Sequence, residues 1–259
     1  MNTKKNSKKV VLITGASRGI GAATARLCAK AGWDIVVNYT QNKDAAESLC
    51  VELKNLGATT LCVQADVGDE SQILNMFSQI DSHFGALHGL VNNAGIVDMT
   101  SLVVDMSWNR LERMMRVNIL GSIVCAREAI KRMSTHHNGS GGSIVNLSSV
   151  AARVGAPSQY VDYASSKGAI DTFTFGLAKE LATQGIRVNA VRPGIIDTDI
   201  HASGGLPNRA KDLAPMVPMQ RAGTAQEVGE AILWLLSDAS SYTTAVSYTH
   251  LTLPTNREV

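Results

Sequence analysis

A tyrosine hydroxyl titrates near about 10 and is a poor general base at neutral pH. A lysine one helical turn away stabilises the phenolate and moves the group toward the range useful for proton transfer. The stretch YVDYASSKGAI, residues 160–170, has this arrangement. Tyr163 and Lys167 are four residues apart and share a helix face, whereas Tyr160 lies two turns from the lysine. The expectation is a proton donor and acceptor at Tyr163, its hydroxyl drawn below the ordinary range by Lys167. Upstream, Ser148 and Ser149 end the run SIVNLSS. Either hydroxyl could donate to an oxygen that gains charge, and strand alternation does not choose between them.

A second group of residues suits a phosphate. The turn TGASRGIG places Gly15, Gly19 and Gly21 around Ser17, Arg18 and Ile20. It follows an apolar run and opens a segment of helical period. Glycines there permit a tight turn and close backbone approach to a diphosphate, which the free N–H groups of the helix start would hold. The spacing is G-x-x-x-G-x-G, and no Gly-Lys-Ser/Thr ending follows, which disfavours a P-loop nucleotidase.

The elements that must position these groups alternate along the chain. Apolar runs such as VVLI, DIVVNY, TLCV, GLVN, SIVNL and IRVNAV are separated by helical stretches. The longest are expected over residues 108–133 and 160–185. This pattern predicts an α/β fold, a single doubly wound parallel sheet with helices on both faces. Residues 195–220, rich in glycine and proline, read as a substrate lid.

Composition narrows the function classes. Of 259 residues, 45% are hydrophobic and 18% charged, and the formal net charge is +2. Lys4, Lys5, Lys8 and Lys9 crowd a polar leader over residues 1–9, so the body is near neutral and carries no nucleic-acid footprint. No apolar stretch approaches the ~20 residues of a membrane span. Four scattered cysteines without a C-x-x-C pair suit a reduced, cytoplasmic protein, and no metal-ligand cluster is expected.

Taken in order, ADV at 65–67, NNAG at 92–95, Asn118, the serine pair 148–149, YASSK at 163–167 and RPG at 192–194 carry a resemblance. Together with the glycine turn they make the chain, from Lys8 to Ala245, resemble the short-chain dehydrogenase/reductase family. The similarity runs toward its sugar and polyol dehydrogenases or its 3-oxoacyl reductases. The resemblance implies a Rossmann-type fold and reversible hydride transfer between NADP(H) and a carbonyl or secondary alcohol. It makes Tyr163 the general acid/base and Lys167 its electrostatic partner, which also holds the nicotinamide ribose. It selects Ser149 over Ser148 and gives Asn118 a water that relays protons from Lys167.

For the cofactor, the resemblance implies contacts from Asp66 and Val67 to the adenine, and from Asn93, Ala94 and Gly95 to the adenosine ribose. Pro193, Gly194, Ile196 and Thr198 would meet the carboxamide end. After the second strand stand Asn38, Tyr39 and Thr40, with no carboxylate to hold a ribose diol. Arg18 is therefore expected to meet a 2′-phosphate, so NADP(H) is favoured and NAD(H) possible. The family also implies a small-molecule substrate and a homo-oligomer, a tetramer if a family-like last strand is restored. A dinucleotide-binding sensor or scaffold without turnover is the other class, but such proteins typically lack the tyrosine or lysine.

The last residues depart from the family. AVSYTHLTLPTNREV lacks the usual acidic-Gly-Gly turn, and residues 246–255 can be back-translated into a transposon-end adapter. Residues 246–259 are thus expected to be a non-native tail in place of the last strand, with Ala245 standing where glycine is usual. An inactive truncated product is the corresponding alternative.

Overall fold

The computed structural model describes residues 8–250. Its strands are β1 (Val10–Ile13), β2 (Asp34–Tyr39), β3 (Thr60–Gln64), β4 (Gly89–Asn92), β5 (Gly142–Leu147) and β6 (Ile186–Pro193). With β9 (Ser247–His250) they form one parallel sheet in the order β3-β2-β1-β4-β5-β6-β9. Two-residue strands β7 (Ile196–Asp197) and β8 (Gly223–Thr224) pair separately. The fold is the Rossmann-type doubly wound sheet that the alternating runs predict. The direction of winding reverses between β1 and β4, and a ligand crevice opens there, at the carboxyl ends of the strands.

Both faces of the sheet are covered because its strands are apolar on both. Val11 and Ile13 pack with Cys28, Leu49, Leu53, Val228 and Ile232. These come from α1 (Gly19–Lys30), α2 (Lys43–Asn55) and α10 (Ala225–Leu236). Their neighbours Val10 and Leu12 face the other way, onto Phe77, Ile80, Ala129 and Leu177. Those belong to α3 (Glu70–Phe84), α5 (Gly121–Met133) and α7 (Val161–Leu181). Among the described residues no helix is long and apolar enough to cross a membrane.

Two stretches differ from the sequence expectation. The single helix expected over 108–133 is α4 (Trp108–Met115) and α5, joined by a π-helical turn, Arg116–Leu120. Asn118 lies in that turn, where the wider winding interrupts the regular ladder; such turns gather at functional sites. Between β6 and α10, the 195–220 segment forms β7, α8 (Ile200–Ser203) and α9 (Arg209–Leu213). The short α6 (Ala151–Val154) precedes α7.

The polar leader over 1–9 lies outside the described residues except for Lys8 and Lys9, and Lys9 pairs with Asp238 at 2.8 Å. Of the tail over 246–259, residues 251–259 are likewise outside. Its first residues add β9 to the edge of the sheet, in register Ala190↔Ser247 to Pro193↔His250. Tyr248 meets Trp234 edge-on, ring centroids 5.4 Å apart. Just before it, Ala245 has φ +62°, a left-handed conformation that costs an L side chain about 1–2 kcal/mol. Ala245→Gly should therefore raise the thermal midpoint by about 2–4 °C, the shift expected from ~1 kcal/mol in a domain of this size. A scanning-calorimetry midpoint that stays put or falls would show that Ala245 is unstrained.

Candidate active site

The glycine turn is held from behind by polar groups that the sequence reading assigned elsewhere. Asn38 Oδ1 accepts from the Gly15 N–H at 3.1 Å, and its Nδ2 donates to Ala65 O at 3.0 Å. Only 1% exposed, Asn38 cannot present its amide to a ligand. Its expected cofactor contact is corrected to a brace between β2, β3 and the turn. Tyr39 is buried in the core on the α1 and α2 side, so of the trio after β2 only Thr40 is exposed. Thr14, absent from the sequence expectation, is a second brace. Its hydroxyl accepts from the N–H groups of Asn93 and Ala94, each at 3.0 Å. Asn93 Nδ2 returns to the carbonyls of Thr14 at 2.8 Å and Gly15 at 3.0 Å.

The resulting concavity fits a dinucleotide diphosphate on three counts. A Cβ at Gly21 would stand 2.7 Å from Gly15 O and Asn93 Nδ2, so the turn can close only without a side chain there. The first turn of α1 has no acidic residue and no side-chain cap. In contrast, Asn42, Asp69 and Thr224 cap α2, α3 and α10. Uncapped N–H groups and the positive end of the helix dipole favour an anion. Arg18, finally, is largely exposed beside the turn and 3.9 Å from Asp199.

The remaining cofactor candidates lie at the carboxyl ends of the strands and in the segments that follow them. The Asp66 carboxylate accepts from Gly68 N–H at 2.7 Å, next to buried Val67. Gly95 abuts the reacting groups, since a Cβ there would be 3.4 Å from both Lys167 Nζ and Asn118 Oδ1. Pro193 accepts from Val150 N–H at 3.0 Å, Gly194 is partly exposed, and Ile196 is buried in β7. Thr198 lies over the glycine turn, its methyl 3.6 Å from a Cβ built at Gly19. Ser17 and Ile20 occupy the turn and the first turn of α1.

The reacting candidates converge at the carboxyl ends of β4 and β5. Lys167 is 5% exposed; its ammonium donates to Leu147 O at 2.7 Å and lies 5.7 Å from the Tyr163 ring centroid. Burial lowers its pKa from 10.5 to about 8, opposed by Asp171 one turn on. Asn118 is clamped to the chain after β4: its Oδ1 accepts from Ile96 N–H at 2.8 Å and its Nδ2 donates to Ile96 O at 3.0 Å. The two serines part company. The Ser148 hydroxyl is buried and donates to Lys167 O at 3.1 Å. Ser149 is half-buried and stands beside the Tyr163 phenol.

Tyr163 departs from expectation in its acidity. Burial raises its pKa above 10.0, and the Ser149 hydroxyl pulls it only partly back. Burial outweighs the Ser149 hydrogen bond, and the Lys167 ammonium is given to Leu147 O. The phenol is therefore a proton donor at neutral pH. The sequence reading also missed two buried ion pairs that flank this helix. Arg110 grips Asp162 with both Nε (2.8 Å) and Nη2 (3.2 Å), and Asp162 Oδ1 accepts from Tyr163 N–H at 2.9 Å. Arg192 Nε meets Asp171 at 2.8 Å. Their partners lie 52 and 21 residues apart, so no local spacing could reveal them.

The chain matches the family model described as Enoyl-(Acyl carrier protein) reductase over residues 15–250. It is 52% identical over 235 residues to the uncharacterized oxidoreductase YgfF of Escherichia coli K12, covering 91% of this chain and 95% of that one. This chain belongs to the short-chain dehydrogenase/reductase family. Among solved relatives, a 3-ketoacyl-(acyl-carrier-protein) reductase from Brucella melitensis complexed with NADH superposes with a TM-score of 0.86 at 29% identity. The match covers 94% of this chain and 96% of that one. A short chain dehydrogenase from Burkholderia cenocepacia in complex with NADP gives 0.85 at 29%, covering 95% and 97%.

This short-chain dehydrogenase/reductase is thus an NAD(P)-dependent oxidoreductase of the 3-oxoacyl reductase-like branch. Its buried lysine has a measurable signature. Between about pH 8 and 10.5 the unfolded chain holds a proton on Lys167 that the folded chain has released, so stability from this group rises with pH there. Below pH 8 the folded state carries the buried ammonium at a cost. Lys167→Met should therefore gain on the wild type at pH 7 and lose that gain as pH rises to 10. Urea-unfolding midpoints of both proteins across this range check it; a gap independent of pH would refute the buried-cation assignment.

Proposed function

We propose that the protein transfers a hydride between NADP(H) and a carbonyl or secondary alcohol, with Tyr163 as general acid/base. The carrying observation is the convergence of Tyr163, Ser149, Lys167 and Asn118 beside an uncapped glycine turn. When bound, the nicotinamide supplies or accepts the hydride. The protein manages the proton and the charge.

In the reduction direction the Tyr163 phenol donates its proton to the substrate oxygen as negative charge develops there. Ser149, whose hydroxyl meets the Tyr163 phenol and accepts from Ala151 N–H, turns to give that oxygen a second hydrogen bond. Lys167, still an ammonium at neutral pH, stabilises the phenolate left behind and holds the nicotinamide ribose. Asn118 fixes the loop at Ile96 and retains a water: the phenolate is reprotonated by Lys167, which takes a proton back from solvent through that water. Gly15, Ser17, Gly19, Ile20 and Gly21 hold the diphosphate. Asp66 and Val67 flank the adenine, Asn93, Ala94 and Gly95 the adenosine ribose, and Pro193, Gly194, Ile196 and Thr198 the carboxamide.

Arg18 supports NADP(H) over NAD(H): it is free to leave Asp199 for a 2′-phosphate, and no carboxylate beside Thr40 opposes that charge. The substrate is a small carbonyl compound, with 3-oxoacyl thioesters first among the classes to test and sugar ketones next. In this reading the protein is a cytoplasmic homo-oligomer, a tetramer where a family-like last strand is restored. Residues 246–259 are a non-native tail, a view that the left-handed Ala245 favours, and β9 at the sheet edge is where assembly would feel it.

Tyr163→Phe should lower turnover by about 10²–10⁴-fold while NADPH affinity, read by fluorescence titration, stays within about twofold. Ser149→Ala should cost about 10²-fold or more, and Ser148→Ala far less. Full activity in Tyr163→Phe would end the mechanism, and equal losses at both serines would end the choice of Ser149. Arg18→Ala should weaken NADPH about 10-fold and leave NADH unchanged, as loss of one charge-assisted contact predicts. Equal weakening of both nucleotides would remove Arg18 from phosphate recognition.

A further inference from the structure

Tyr160 lies three residues before Tyr163 and is 6% exposed. Its hydroxyl donates to Gly204 O at 3.0 Å, from the residue just before α7 across to the residue just after α8. Burial raises its pKa, with Arg209 and Arg110 pulling the other way, so it remains a donor. The Arg209 guanidinium of α9 lies 5.4 Å from the Tyr160 ring centroid, and its Nη1 donates to Gln159 Oε1 at 2.6 Å. The connection before Tyr160 is held in costly backbone geometry, with Ala156 at φ +46° and Ser158 at φ +59°. Gln159 ties it down further, since its carbonyl accepts from Ser101 N–H at 3.1 Å.

A second contact lies next to the first. A Cβ at Gly205 would stand 2.5 Å from Met99 Cε, so Met99 fills the space over that glycine. Arg110, already gripping Asp162, holds the Met99 carbonyl at 2.6 Å. At its other end the same segment touches the cofactor turn, through Thr198 over Gly19 and Asp199 beside Arg18. His201 Nε2 and Ile196 O, 2.8 Å apart, tie α8 back to β7. Ten residues, 196–205, thus run from the nucleotide turn to the helix that carries Tyr163 and Lys167.

We propose that Tyr160 is a positioning residue for the substrate, fixing the wall formed by residues 196–205 against α7 through its hydrogen bond to Gly204. Its kinetic consequence rests on the oxidoreductase reading above; the contact itself does not. A small displacement of a positioning wall costs binding and orientation of the carbonyl. It leaves the proton-transfer groups, held by Leu147, Ile96 and Asp162, where they are.

The test uses the full chain and three variants: Tyr160→Phe, Gly204→Ala and the double variant. Gly204 has φ −87°, which alanine adopts freely, and its new Cβ would press on Tyr160 Oη at 3.0 Å and Val97 Cγ1 at 3.2 Å. Tyr160→Phe should raise KM for the carbonyl substrate about 2- to 10-fold, the range for losing one hydrogen bond. The kcat should stay within about twofold and NADPH affinity unchanged. Trypsin should cut faster after Arg209 and Lys211. Gly204→Ala should do the same, and the double variant should be no worse than either single one, because all three break one contact. A wild-type KM and cleavage rate in Tyr160→Phe would overturn the proposal. So would a fall in kcat and thermal midpoint with KM unmoved, which marks a merely structural role. If the wild type turns over no carbonyl, yet Tyr160→Phe is cut faster at an unchanged midpoint, the contact stands and the oxidoreductase reading is what fails.

Discussion

Keeping the Lys167 ammonium charged inside the protein is the constraint on which the site depends. A cation at 5% exposure must be met by acceptors, and here one is the carbonyl that ends β5. That contact ties α7 to the end of β5 beside Tyr163. Asp171 on the next turn opposes the loss of the charge, and Arg192 from β6 holds Asp171 in turn. Burial still lowers the ammonium to about 8 and pushes the phenol up. A protonated phenol and a buried ammonium are therefore both present at neutral pH.

The nucleotide half obeys a different rule, that a tight turn needs its backbone groups satisfied from behind if its front is to remain free. Asn38, Thr14 and Asn93 provide that support. Their amides and hydroxyl are engaged within the protein, while the first turn of α1 keeps its N–H groups uncapped. Polar residues near the cofactor crevice thus divide into those that shape it and those that face it. Arg18 belongs to the second kind, and its loose pairing with Asp199 connects the nucleotide turn to the segment after β6.

Much of the fold was legible because a parallel sheet buried on both faces demands apolar runs, and helices between them demand a 3.6-residue period. The Tyr163–Lys167 pair was legible for the same local reason, as was the glycine turn. The π-helical turn at Asn118 was not, since no proline or charge reversal marks it and it arises from how α4 and α5 dock. Nor was the role of Asn38 legible, because an asparagine after a strand reads the same whether it braces a turn or meets a ligand. At the far edge, β9 joins the sheet because parallel pairing asks only for extended backbone, and residues 247–250 supply it.

By itself, then, the sequence determined the layered architecture, the family and the identity of the groups that could move a proton or hold a diphosphate. These depend on residue type and on spacing within single elements. The tertiary structure decided what lies between elements: which serine meets the Tyr163 phenol, which asparagine is a brace, how burial shifts Tyr163 and Lys167, and that Tyr160 holds Gly204. Such facts follow from desolvation and from contacts between residues tens of positions apart, and neither leaves a periodic mark in the chain.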